Sequence, residues 1–138
     1  MGMTGNERTA VVELRIAKAY RAYAEAKGNV ELKYWETAAN RLYYAAFDAV
    51  IALLAAIGCD AQTHSGVRHI CSLKFIKTGI IPNEAGQLYH RLFALRQTGD
   101  YDDTYEVSDG DVLPNVAATG ELIDTIAALA REMVKVSS

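Results

Sequence analysis

The chain has 138 residues, 51% hydrophobic and 22% charged, with 14 basic and 17 acidic side chains and a formal charge of -3. That length suits one domain spanning residues 1–138, and that apolar content excludes a disordered chain. The acidic balance excludes a protein that coats nucleic acid by bulk charge, while leaving room for a local basic patch.

The predicted elements are helical throughout. Two prolines and abundant alanine favour helix. A first helix is predicted over about Glu7 to Lys27, because Val12, Ile16, Ala19, Tyr20 and Tyr23 recur at helical spacing. Gly28-Asn29 is the expected stop. A second helix is predicted from about Val30 to Ile57, with Trp35, Ala38, Leu42, Ala46, Ala49, Leu53 and Ile57 on one stripe. Arg41, Tyr44 and Asp48 share another of its faces. A short third helix is expected over about Gly66 to Lys77, capped by Thr63 or Ser65. A loop over Thr78 to Asn83 then leads to a fourth helix that ends near Gln97, with Asn83 as its cap and Leu88, Leu92 and Leu95 inward. Asp100 to Asp111 reads as an acidic loop without Lys or Arg, in which Ser108 and Asp111 have the spacing of a capping box. The last helix runs to about Lys135, and Pro114 fits only near its first turn or at a kink. The pattern predicts an all-α antiparallel four-helix bundle with an additional short helix.

Cys59 and Cys71 lack metal-ligand spacing and are read as free thiols. The longest apolar run, Ala49 to Ile57, is too short to span a bilayer, and no signal pattern opens the chain. A cytoplasmic protein without a membrane role is expected.

Two segments carry the polar chemistry. Asn40-Arg41-Leu42-Tyr43-Tyr44-Ala45-Ala46-Phe47 sets an asparagine and an arginine into an apolar helix, and Leu95-Arg96-Gln97-Thr98-Gly99-Asp100-Tyr101 repeats the anomaly near the end of another. A half-buried arginine is costly unless paired or facing a wet cleft. Arg41, Tyr44, Arg96, Asp100 and Tyr101 are therefore expected to converge on one site, with Asp100 pairing one arginine and leaving the other to meet an anion. A guanidinium fork suits phosphate oxygens. His64 is the best acid/base candidate by its ordinary pKa, with a capping or core role as its plainer reading. The carboxylates Asp100, Asp102 and Asp103 are read as an acidic turn rather than a metal site, so neither metal nor cofactor is expected. Arg68, Lys74, Lys77 and Arg91 form a modest basic cluster.

These motifs resemble the HEPN domain family. Asn40 to Phe47 matches the family's N-R-x-Y-Y-A-x-F signature. The likeness continues in Thr63-His64-Ser65-Gly66-Val67, in Phe75 to Pro82 and in Leu95 to Tyr101, covering about Val30 to Tyr105. The resemblance implies a helical bundle that forms a homodimer and binds RNA or a nucleotide. It also implies a nucleotidyltransferase partner in a toxin–antitoxin-like pair. The ribonuclease branch of the family carries an Arg followed by four to six residues and then a His. Arg96 fills the arginine position here, and Tyr101 stands where the histidine is expected. The resemblance thus implies ligand binding through Asn40, Arg41, Tyr44 and Asp100. As the alternatives, it implies a divergent metal-independent ribonuclease using Arg96, Tyr101 and His64, or a purely structural interaction domain.

Overall fold

The computed structural model describes residues 4–61 and 63–137. Among these there are five α-helices and no strands: α1 (Gly5–Glu31), α2 (Trp35–Ala56), α3 (His64–Cys71), α4 (Asn83–Tyr101) and α5 (Asp109–Ser137), with a π-helical segment (Ser72–Ile76) continuing α3. The four long helices pack around one core, with α2 against α1, α4 and α5. The all-α bundle with one short extra helix is as the periodicity predicts.

The central place of α2 follows from its composition. Twelve of its side chains are buried, among them Ala38, Ala39, Ala45, Ala46, Ala49, Ala52 and Ala56. Ala19, Ala22 and Ala26 face it from α1. Small side chains let the two backbones approach closely, as an antiparallel hairpin joined by a short turn. Leu42, Leu53, Leu54, Ile123 and Ile126 fill the remaining volume.

Several helix ends differ from those predicted. α1 passes through Gly28-Asn29 to Glu31, because Val30 packs on the core and the Asn29 amide donates back to the Glu25 carbonyl at 2.8 Å. The left-handed residue of the turn is Lys33 (φ 62°), so α2 starts at Trp35 rather than Val30. Thr63 does cap α3, accepting from the Gly66 amide at 3.0 Å. The element then widens into a π-helix from Ser72. Val67, Cys71 and Phe75 are all buried and recur every four residues, a spacing too long for a 3.6-residue turn and better kept in line by a wider one. At the start of α4 the cap is Pro82, with Asn83 already helical.

α4 runs on to Tyr101, so Asp100 and Tyr101 belong to its last turn and the acidic connection shortens. Asp111 accepts from the Ser108 amide at 3.0 Å, the reach-back half of a capping box. Pro114 lies inside α5, just past its first turn. By length and composition, Asp109–Val136 could cross a membrane; it packs along α2 and α1. Cys59 and Cys71 are free, and burial pushes the Cys71 thiol up to about 11.

Candidate functional site

The site is built where the first half of α2 faces the last turns of α4. On α2 the sequence Asn40-Arg41-Leu42-Tyr43-Tyr44 turns Leu42 and Tyr43 fully inward and leaves Asn40, Arg41 and Tyr44 half-buried at the boundary of the bundle. On α4, Arg96 and Asp100 lie one turn apart on the same face. Arg96 Nε donates to Asp100 Oδ2 at 3.1 Å, and the Arg96 side chain is only 11% exposed.

What holds Arg96 inside is largely aromatic. Its guanidinium carbon lies 5.5 Å from the Tyr43 ring centre, 5.4 Å from that of Tyr44 and 5.7 Å from that of Tyr101. The negative faces of these rings replace part of the hydration the cation has lost. Its Nη2 also donates to the Tyr101 hydroxyl at 3.4 Å. The ion pair with Asp100 contributes less. Its carboxylate lies nearer the C-terminus of the helix, the order that opposes the helix dipole.

Arg41 reaches the same aromatic group from α2. Its guanidinium lies 5.3 Å from the Tyr44 ring centre, so two cations approach Tyr44. Asn40 Oδ1 accepts from Arg41 at 3.1 and 2.9 Å, and its amide donates to Asp100 Oδ2 at 3.4 Å. Asn40 thus ties Arg41 to the Asp100–Arg96 pair. The expectation that one arginine stands without an acidic partner needs correction: Arg41 Nη1 bonds Glu25 Oε1 of α1 at 3.3 Å. Glu25 was missed because nothing in its own segment sets it apart from other surface acids. Asp48, on the same face of α2, pairs with Arg15 instead at 3.3 Å. Burial raises its pKa and Arg15 opposes that rise.

His64, at the first position of α3, joins the cluster through its ring. It lies 4.7 Å from Phe47 and 5.7 Å from Tyr43 between ring centres, and its Nδ1 is 2.6 Å from the Tyr43 hydroxyl. Burial depresses its pKa, and the nearby Arg96 charge depresses it further. Which of the two donates across this contact depends on the imidazole tautomer. Tyr43, itself wholly buried, is the residue the sequence did not single out. It touches His64, Arg96, Tyr89 and Phe93 at once.

Tyr101 is 72% exposed, so it forms the outer edge of the site. Asp102 turns away to Thr104, which bonds it through both hydroxyl and amide. No three His, Cys, Asp or Glu side chains come together as a metal-binding group among the described residues. Of the predicted basic cluster, Arg68 and Arg91 line a separate groove, and Lys74 and Lys77 are exposed outside it.

The arrangement offers two guanidiniums against one aromatic ring, a polar bridge between them and an imidazole in the same aromatic cluster. The model of the HEPN domain matches residues 12–135. A UPF0332 protein of Thermotoga maritima is 33% identical over 128 residues, 93% of this chain and 97% of its own length. A Methanocaldococcus jannaschii protein named "Putative toxin" is 31% identical over 96 residues, 70% of this chain and 65% of its own. A UPF0332 protein of Archaeoglobus fulgidus is 34% identical over 97 residues, 70% of this chain and 77% of its own.

Proposed function

The chain belongs to the HEPN family, and from that premise we propose that it is a cytoplasmic RNA- or nucleotide-binding module. In this reading it works as a homodimer beside a nucleotidyltransferase in a toxin–antitoxin-like pair. The observation that carries the proposal is the approach of both Arg41 and Arg96 to Tyr44, 5.3 and 5.4 Å from its ring centre. A phosphate meeting the guanidiniums brings its base within reach of the tyrosine rings, and stacking on such rings tolerates any base. The order of the Arg96–Asp100 pair supports the same reading. A pair placed for helix stability has its carboxylate toward the N-terminus, and this one does not. The name of the Methanocaldococcus jannaschii relative supports a toxin-like setting.

The test is fluorescence anisotropy of a labelled single-stranded RNA against the purified full chain over a series of salt concentrations. Binding weakens as salt rises, and Arg96→Ala and Arg41→Ala each weaken it further. RNA affinity that neither substitution changes refutes the site. Light scattering that finds a monomer at micromolar concentrations refutes the dimer.

A second reading, metal-independent ribonuclease, is favoured by one observation: His64 sits in the same aromatic cluster as Arg96. Arg96 would stabilise charge on phosphorus, with His64 or Tyr101 assisting proton transfer. Tyr101 stands where a histidine would take the proton from the 2′-hydroxyl, and a phenol is a weaker base than an imidazole. Weak or no cleavage follows. Robust cleavage in a chelator, lost in both Arg96→Ala and His64→Ala, would make the enzyme reading the better one.

A further inference from the structure

A groove of about 770 Å³ opens between the α3–π segment, the start of α4 and the faces of α2 and α5. It shares no lining residue with the arginine–tyrosine site. Its floor is apolar, with Val50 from α2 and Leu122 and Ile126 from α5. Ile76 and Ile81 form a wall. Gly86 keeps that wall close, since a Cβ there would stand 2.9 Å from Ile76 Cδ1. The rim is cationic and polar, with Arg68, His69, His90 and Arg91.

Three features mark it as more than a packing defect. Its volume falls in the range of ligand pockets, about 300–1,000 Å³. Neither rim arginine has a carboxylate within ion-pair distance among the described residues; Arg68 instead lies 5.5 Å from the Phe93 ring centre and 3.5 Å from His90 Nδ1. One wall is the π-helix Ser72–Ile76, a rare geometry that recurs at functional sites.

We propose that this groove is a second binding site, for a small amphiphilic anion whose apolar body lies on Val50, Leu122 and Ile126 and whose single anionic head meets Arg68 and Arg91. The charge and the floor choose that occupant together. An apolar body alone leaves the two arginines unmatched, and a bare anion makes no use of the apolar lining. Arginine takes either a carboxylate or a phosphate head in its fork.

The test is calorimetric titration of the full chain with decanoate, decyl phosphate, decanol and inorganic phosphate, below the critical micelle concentrations. Decanoate or decyl phosphate should bind saturably with one site per chain, and the better of the two identifies the head group. Decanol and inorganic phosphate should each bind at least about tenfold more weakly, the loss expected for one charge-assisted contact or a comparable apolar contribution. The double substitution Arg68→Ala, Arg91→Ala should cost the anions about tenfold or more and leave decanol unchanged. Ala85→Trp, which fills the groove from α4, should abolish binding. Each variant is first checked for wild-type helicity and unfolding midpoint. A well-folded variant in which binding survives places the ligand elsewhere. Decanol binding as tightly as decanoate removes the anionic head, and inorganic phosphate binding as tightly as decyl phosphate removes the apolar body. Absence of saturable binding by either anion overturns the site. Because the groove does not use Arg41 or Arg96, Arg96→Ala should leave these affinities unchanged even where RNA binding is lost.

Discussion

Replacing Arg96 with alanine tests the central site most directly, and the magnitude follows from its surroundings. A cation over an aromatic face contributes about 0.5–1 kcal/mol when exposed and about 2 kcal/mol when desolvated. Arg96 is 11% exposed and one cation is shared among three rings, so about 2 kcal/mol is the appropriate single contribution. The ion pair adds little. Asp100 is 26% exposed and the pair runs against the helix dipole, which keeps it near the low end of the roughly 0–1 kcal/mol range. Removing Arg96 strands no buried charge, because Asp100 keeps its bond to Asn40 and its access to water. Arg96→Ala should therefore destabilise the fold by about 2 kcal/mol in urea, with an unchanged slope. Arg96→Lys, which keeps the charge but not the planar fork, should recover part of this. A double-mutant cycle with Tyr44→Leu should show a coupling of about 0.5–1 kcal/mol. If Arg96→Ala lies within about 0.5 kcal/mol of the wild type, the ordinary range for surface changes, the aromatic account of its burial is wrong.

Further predictions concern pH, packing and chemistry. His64 has a folded-state pKa below its ordinary 6.5, so the unfolded chain takes up the proton first. Stability that is full above about pH 6.5 is therefore lost as pH falls through that value, and the loss levels off below the folded pKa. His64→Asn should flatten this part of a plot of urea midpoint against pH, and an unchanged slope would exclude His64 as its source. Gly120→Ala should destabilise by about 1–3 kcal/mol despite the better helix propensity of alanine, because the new Cβ would stand 2.6 Å from the Tyr23 hydroxyl, which bonds the Val116 carbonyl. Thermal unfolding checks it, and a stabilised variant would refute the close contact. Tyr101→His restores the Arg-x4-His spacing and should raise metal-independent cleavage of a labelled RNA above the wild-type level. No gain in a well-folded variant would count against a latent active site.

Much of the fold was legible in the sequence because apolar spacing reports burial directly. Val12, Ile16 and Ala19, and Leu42, Ala46 and Leu53, are core residues as their periodicity indicates. The helix ends were less legible. Gly28-Asn29 has the local chemistry of a stop, but burial of Val30 and the Asn29 back-bond carry the helix through it. The π-helix was hidden for a related reason: a four-residue repeat of buried positions is too short here to be told from an ordinary helical stripe. The two arginine motifs pointed to one site because charge inside an apolar helix needs a partner. The partners across helices were beyond reach, since Glu25 looks like any surface acid and Tyr43 like any core aromatic.

The alanine seam between α1 and α2 has a consequence for how firmly the site is held. Ordering a long side chain on folding removes up to about 2 kcal/mol of rotamer freedom, and ordering an alanine removes none. Arg41 and Tyr44 project from a helix most of whose buried contacts to its neighbour are made by methyl groups. The alanines of that support have no rotamers to hop between. The seam behind Arg41 and Tyr44 is thus ordered at little cost in side-chain freedom, before any ligand arrives.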